Sequence, residues 1–190
     1  MENWTLHERF GLTILGLLLF RFVWGFYGSE TAQFKNFLKG PTSVIQNIRA
    51  ILSRNAASDR GHSALGGWAT LALLLVPTYL ILTGLFSTDG TLFDGPLAHF
   101  VTFDQSDELA DLHHIGEKFL FLVLFLHLAA IVVYYVWLRK NLVMPMVTGG
   151  VLQKDKNLPL TKTHRNIGLI LLIGLVLGAQ TLTLLRPALF

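Results

Sequence analysis

The sequence contains no cysteine, and only 14% of its 190 residues are charged. The absence of cysteine excludes structural disulfides, Fe–S clusters, thiolate zinc sites and covalently attached c-type haem. The low share of charged residues excludes an ordinary soluble domain, in which about 25% of the residues are charged. The chain is instead 52% hydrophobic. Together these values are typical of an integral membrane protein.

Four apolar runs are each long enough to cross a bilayer, which takes about 20 residues in a helix. We predict spans at Leu6–Phe26, His62–Phe86, His113–Leu138 and Ile167–Leu185. The predicted fold is therefore all-α, an integral membrane four-helix bundle. Residues 1–150 form one predicted membrane domain with the first three spans, and residues 151–190 add a basic connection and the fourth span. In the second span, Gly66, Gly67 and Gly84 are predicted to allow close helix packing.

Basic residues are concentrated in two of the connections between spans. The connections Gly28–Gly61 and Arg139–Arg165 carry eleven of the fifteen lysines and arginines, whereas Ser87–Leu112 carries six acidic residues and no basic one. The positive-inside rule therefore places the first and third connections in the cytoplasm and both termini outside. Membrane topology explains the formal charge of +3, and no nucleic-acid partner is predicted.

A short amphipathic helix is predicted within the first connection. It begins near Pro41, and its apolar residues follow helical spacing at Val44, Ile45, Ile48, Ile51 and Leu52. The segment is too short to span a bilayer. We predict either that it lies in the cytoplasmic interface beside anionic lipid or that it packs under the bundle.

Histidines within the apolar runs are the main chemical feature of the chain. His113 and His127 are 14 residues apart, which places them on one face of a helix in a bundle, about 21 Å apart along its axis. His114 is 13 residues from His127 and faces another direction. His7 and Arg21 repeat the 14-residue spacing. Because the two helices run the same way, His7 is predicted level with His113, and Arg21 level with His127.

A pair of imidazoles that face each other across a bundle is what bis-His haem ligation requires. An arginine at the same depth suits a haem propionate, although Arg21 alternatively extends toward the lipid headgroups. A proton relay or a transition-metal transporter would also place histidines within the membrane. The histidines at the interfaces, His99, His114 and His164, are interpreted as solvated.

Several stretches of the chain, roughly from Leu6 to Gly150, carry motifs that are specific when taken together. They are LHERFGLTILGLLLFRFVWGFYGSETAQF, GHSALGGWATLALL with TGLF, DGPLA, and LHHIGEKFLFLVLFLHLAAIVVYY with NLVMPMVTGG. They resemble the bacterial cytochrome b561 and nickel-hydrogenase b-type cytochrome family. The resemblance implies a helical bundle that holds two b haems between bis-His pairs and passes electrons across the membrane.

The resemblance assigns the haem ligands residue by residue. His7 in LHE and His113 in LHH match the pair that holds the outer haem, and His127 matches one ligand of the inner haem. In the family, the other inner ligand lies on an additional first helix with a His-Trp motif, which this sequence lacks. The family's Gly-His-Asn-Pro motif is also altered, at Gly61–Ala64. One haem b is expected. A second requires His62 or a partner helix as ligand, and otherwise His127 is a relic.

The resemblance also implies an electron-transfer subunit rather than a stand-alone enzyme. We expect a multi-pass cytochrome of the bacterial inner membrane, in contact with lipid, with both termini in the periplasm. It would carry electrons between the quinone pool or a cytoplasmic-side donor and a periplasmic c-type cytochrome or hydrogenase-like subunit. The acidic segment Asp104–Asp111 is predicted either to dock a basic c-type cytochrome or only to enforce topology. The alternative function is a haem-poor membrane anchor that assembles a larger redox complex.

Overall fold

The structure, a computed structural model, describes residues 2–29, 32–54, 63–91, 93–144 and 162–185. The regular secondary structure of these residues is helical, and Thr88 and Asp94 form an isolated β-bridge. The α-helices are α1 (Glu2–Tyr27), α2 (Phe34–Phe37), α3 (Pro41–Leu52), α4 (Ala64–Phe86), α5 (Phe103–Val136) and α6 (Lys162–Gln180). Short 3-10 helices cover Ala98–Phe100 and continue α6 over Thr181–Leu185.

Four helices in the described part of the chain are long and apolar enough to cross a membrane. Their apolar lengths are Trp4–Tyr27, Ala64–Phe86, Phe103–Val136 and Asn166–Leu185. A helix satisfies its backbone hydrogen bonds internally, which a lipid environment requires of any spanning segment. The prediction of an all-α membrane bundle with four spans is confirmed.

Helix α5 begins at Phe103, well before His113, where hydropathy placed the start of the third span. The backbone N–H of Thr102 donates to Oε1 of Gln105 over 3.1 Å, and the backbone N–H of Gln105 donates to Oγ1 of Thr102 over 3.3 Å. This reciprocal pair is a capping box, which satisfies amide groups that a helix start leaves unpaired. The acidic segment Asp104–Asp111 is therefore part of the helix that carries His113.

Contacts divide the chain into two compact units. The first unit comprises Met1–Val23, Leu74–Phe121 and Asn166–Phe190, and the second comprises Trp24–Leu73 and Leu122–Arg165. Helices α1, α4, α5 and α6 each contribute residues to both units.

Helix α6 packs closely against α1 in the first unit. A Cβ atom on Gly16 would lie 2.5 Å from Cα of Val176, so only glycine permits this approach. The side-chain amide of Gln180 donates to the carbonyl oxygen of Arg9 over 3.1 Å and to Oγ1 of Thr13 over 3.0 Å. Backbone packing and this polar clamp hold the fourth span beside the first.

Helices α4 and α5 also approach closely within the first unit. A Cβ atom on Gly116 would lie 2.8 Å from the ring of Tyr79, and the Tyr79 hydroxyl donates to the carbonyl oxygen of Leu112 over 3.0 Å. Near the start of α5, the buried Ser106 hydroxyl donates to the carbonyl oxygen of Phe86. These contacts fix the register of α5 on α4 around His113.

In the second unit, the predicted amphipathic helix is present as α3. None of its residues is buried, and Ile45, Ile48 and Leu52 are exposed, as expected at a membrane interface. The helix is nevertheless tied to the rest of the unit, because the indole N–H of Trp137 donates to the carbonyl oxygen of Ile51 over 3.1 Å. The contact supports the packed arrangement, and the location of α3 in the cytoplasmic membrane interface stays a prediction.

Candidate functional site

The first unit brings two of the predicted site histidines together. His7, on α1, and His113, on α5, have ring centroids 5.9 Å apart and ring planes at 77°. His7 is exposed and His113 is half-buried. Their helices are far apart in sequence, so the tertiary packing of α1 and α5 creates this pair.

A hydrogen bond to helix α4 orients the ring of His113. Its Nδ1 lies 2.9 Å from the carbonyl oxygen of Leu80 and 3.3 Å from Oγ1 of Thr83. Because a carbonyl oxygen can only accept, Nδ1 must carry the proton in this contact. The lone pair of the neutral ring is then on Nε2, which is the nitrogen left for a metal. Metal-binding histidines are commonly oriented in this way through the second ring nitrogen.

Gly84 leaves the space that the ring of His113 occupies. A Cβ atom at this position would lie 2.9 Å from Cε1 and 3.0 Å from Nδ1 of His113. From sequence, this glycine was predicted only to allow close helix approach. Leu80, Thr83 and Gly84 have i, i+3, i+4 spacing and share one face of α4. Of the three, only the glycine gives a sequence signal, because a small residue permits close approach.

Trp4 and Phe93 form an aromatic pair beside His7 that the sequence did not reveal. The ring centroid of Trp4 lies 6.5 Å from that of His7, and Trp4 stacks on Phe93 with 5.4 Å between centroids. Oδ1 of Asp89 holds the Phe93 loop, since it accepts the backbone N–H groups of Thr91 and Phe93, each over 2.9 Å. Trp4 thus connects the helix that carries His7 to the loop after α4.

His114 is oriented differently from its neighbour His113. Its side chain is 72% exposed, and its Nδ1 lies 3.9 Å from a carboxylate oxygen of Glu117, one turn further along α5. The solvated interpretation of His114 agrees with this exposure. His113, rather than His114, therefore forms the ring pair with His7.

The two described residues predicted for an inner site belong to different compact units. Arg21 is half-buried on α1 in the first unit, and His127 is half-buried on α5 in the second unit. His62 and the side chain of His164 lie outside the described residues. The assignment of an inner site to Arg21, His127 and His62 stays a prediction.

The spacing of the His7 and His113 rings suits a metal between them. In a bis-imidazole pair, each ring centroid lies one ring radius beyond a metal–nitrogen bond of about 2.0 Å. The two centroids are then roughly 6 Å apart. The observed separation is 5.9 Å, and Nε2 of His113 is left for coordination by the bond to Leu80. In a bundle of apolar helices without cysteine, this donor set fits a haem with two histidine ligands. Fold and ring pair together point to the class of membrane-bound b-type cytochromes.

Comparison with known families agrees with this class. A model of the prokaryotic cytochrome b561 family matches residues 1–149, and the chain belongs to this family. It is therefore a multi-pass bacterial membrane protein, a b-type cytochrome of electron transfer whose cofactor is b-type haem. Searches of curated proteins and of solved structures found no significant match.

Proposed function

We propose that the chain carries electrons through a b haem that His7 and His113 hold between them. The observation that carries this proposal is the pair of rings 5.9 Å apart, one of which is already oriented by the carbonyl of Leu80. When bound, the haem supplies a one-electron couple that the side chains of this chain do not have. Each imidazole would donate a lone pair from one nitrogen to the iron.

The residues around His113 determine how well it serves as a ligand. The Leu80 carbonyl accepts the Nδ1 proton, which holds the tautomer and makes Nε2 more basic. Gly84 leaves room for the ring in that orientation. On the other side of the pair, the ring of Trp4 packs against His7 and is itself partly exposed at the surface of the first unit. These are positioning contacts, and they support ligation by restricting both rings.

An acidic stripe on α5, formed by Asp104, Asp107, Glu108 and Asp111, is the proposed docking surface for the redox partner. The four side chains are exposed, and their i, i+3, i+4, i+7 spacing puts them on one helix face. His113 follows on the same helix. A basic electron-transfer protein such as a c-type cytochrome has the complementary charge, which accelerates encounter more than it increases affinity. The other end of the path is the quinone pool or a cytoplasmic-side donor.

We further propose an inner haem that uses His127 as one ligand. His127 lies on the same helix and at the same heptad position as His113, which supports ligation on the same helix face. His62 is the proposed second ligand within the chain, and a helix from a partner subunit is the alternative. Arg21 is proposed to pair with a propionate of this haem, because a guanidinium binds a carboxylate in a bidentate manner.

The orientation proposed for the chain follows from its connecting segments. Both termini and the acidic Ser87–Leu112 connection lie on the periplasmic side, and the basic connections lie in the cytoplasm. In this orientation His7 and His113 hold the outer haem, and the acidic stripe faces periplasmic partners.

A reduced-minus-oxidised optical spectrum of the purified full chain tests the proposed function. We expect the α band of a low-spin b haem, because two imidazoles give a strong axial field. Protein that was purified intact from a haem-sufficient membrane but had no such band would instead be the haem-poor anchor subunit.

A further inference from the structure

An apolar cleft lies in the second unit, between α3 and α5. Its volume is about 170 Å³, it is open rather than enclosed, and the start of α4 also contributes to its lining. The lining includes Ile48, Ile51 and Leu52 on α3 and Ala130, Val133 and Tyr134 on α5. The hydrogen bond from the indole N–H of Trp137 to the carbonyl oxygen of Ile51 ties the two walls together. The cleft is therefore a fixed feature of this helix pair.

The size and chemistry of the cleft select a hydrocarbon chain. Pockets that bury a whole small-molecule ligand are usually about 300–1,000 Å³ and contain a few polar groups that orient it. This cleft is smaller, and the surface of its lining is apolar. An acyl chain is narrow and needs no polar partner, whereas a haem is too large for this space.

Two tryptophans indicate the level of the cleft in the membrane. Trp137 directly follows α5, and Trp68 lies near the start of α4, where its indole N–H donates to the carbonyl oxygen of Lys39 over 2.9 Å. Both side chains are exposed. Tryptophan is enriched where lipid headgroups meet the hydrocarbon core. The two positions therefore support a cleft that opens close to the headgroups.

A guanidinium group lies next to the cleft. Arg54 follows the lining residue Leu52 by two positions, and its Cζ lies 3.9 Å from the centroid of the Trp137 ring. Stacking on an indole occupies the face of a guanidinium and leaves the N–H donors in its plane for another group. The described side chains of the second unit include six lysines and arginines and no acidic residue. The surroundings of Arg54 therefore favour an anion.

The backbone after α3 and after α5 gives separate support for a ligand here. In the described part of the chain, Arg54 (φ 57°) and Arg139 (φ 53°) are the only residues other than glycine with positive φ. Glycine is usual at such a position after a helix, because a side chain there strains the backbone. Strained positions of this kind cluster at ligand-binding sites. Both of them carry a positive charge beside a helix that lines the cleft.

We propose that the cleft and Arg54 bind one anionic phospholipid. One acyl chain fills the cleft, and the phosphate accepts paired N–H donors from Arg54. Arg49 and Arg139, both exposed, add positive charge that attracts an anionic headgroup and repels the ammonium group of a zwitterionic one. The bound chain fills apolar space between α3 and α5 and so holds the first connection against the spanning helices. The site is independent of the haem proposed at His7 and His113.

The headgroup is tested by lipid titration of the full chain in detergent, with bound lipid counted by native mass spectrometry. The probes are phosphatidylglycerol and phosphatidylcholine with the same acyl chains. We expect one phosphatidylglycerol per chain, bound about tenfold more tightly than phosphatidylcholine, because its hydrogen bonds are charge-assisted. Arg54→Gln should abolish this preference. Lys118→Gln, which removes an exposed positive charge on α5 in the first unit, is the matched control and should keep it.

A second pair of variants tests the cleft itself. Ala130→Leu enlarges a lining side chain and should weaken the binding of both lipids about tenfold, because the acyl chain loses apolar contact. Val132→Leu, at an exposed position outside the lining, should leave binding unchanged. Circular dichroism shows whether each variant is folded. If Ala130→Leu failed to fold, Arg54→Gln would still decide, because Arg54 is exposed.

Several results would overturn the site. Equal affinity for the two lipids in the unchanged chain would leave a groove without headgroup selectivity. Equal loss of preference in Arg54→Gln and Lys118→Gln would assign the preference to overall charge. Displacement of the lipid by inorganic phosphate would make Arg54 an ion site without a chain. Loss of a haem from Ala130→Leu would assign the cleft to the proposed inner haem.

Discussion

The Nδ1 atom of His113, on α5, lies 2.9 Å from the carbonyl oxygen of Leu80, on α4. The contact makes α4 a positioning element for the proposed haem, although α4 contributes no ligand to the His7–His113 pair. It also fixes which ring nitrogen is left for the iron. The behaviour of the proposed site should therefore depend on residues of α4 as well as on the histidines.

Gly84→Ala tests this dependence. The new methyl group would lie 2.9 Å from Cε1 of His113, so the ring must shift and its contact with Leu80 is disturbed. Loss of such an orienting contact typically weakens metal binding about 10- to 100-fold, and we expect haem retention during purification to fall accordingly. Gly174→Ala is the control, because a Cβ atom there meets no atom within 4 Å. Equal haem content in both variants would show that α4 does not position His113.

The inner haem is tested by haem quantitation on the isolated chain. If His127 and His62 bind the proposed inner haem, the isolated chain holds two haems, and His127→Ala or His62→Ala holds one, because each substitution removes a proposed ligand. His99→Ala, at an exposed position, should leave both. One haem in the isolated chain but two in a larger complex would assign the second ligand to a partner helix. One haem under every condition would exclude His127 as a ligand.

The acidic stripe predicts how electron transfer to a basic c-type cytochrome depends on salt. The screening length is about 8 Å at 0.15 M ionic strength. The second-order rate constant should therefore fall about tenfold when the ionic strength is raised from well below to well above about 0.15 M. Neutralising Asp107, Glu108 and Asp111 together should remove most of this dependence. Glu117→Gln, on the same helix but outside the stripe, should keep it. A rate insensitive to salt in the unchanged chain would leave the stripe only a topological role.

The proposed orientation is tested by reporters fused after Phe190. Ser87–Leu112 has six acidic residues and no basic one, while the two neighbouring connections hold eleven basic residues. A reporter that is active only after export should therefore be active at this site. Activity of a reporter that works only in the cytoplasm would reverse the orientation, and the acidic stripe would then face cytoplasmic partners.

The features predicted correctly from sequence are those that local patterns encode. Apolar runs of spanning length identified the four spanning helices of the described residues. Helical spacing predicted that His113 and His114 face different directions, and they differ in exposure. The sequence predicted a membrane span from His113 but not that its helix begins at Phe103, because hydropathy does not register a capping box, although the Thr102–Gln105 spacing is itself a local signal. The Leu80 contact has no such signal, since every residue carries a carbonyl group. The contact of Gln180 with Arg9 joins residues 171 positions apart, and only the packing of α6 on α1 reveals it.

Ligation by His7 and His113 is tested most directly by haem content and the low-spin spectrum of three single variants, His7→Ala, His113→Ala and His114→Ala. We expect the first two to lose one haem per chain together with its low-spin signal, because each removes one of two rings whose centroids lie 5.9 Å apart. His114→Ala should retain both the haem content and the spectrum of the unchanged chain, since its side chain is 72% exposed. Loss of the haem in His114→Ala and its retention in His113→Ala would contradict the proposed ligand pair.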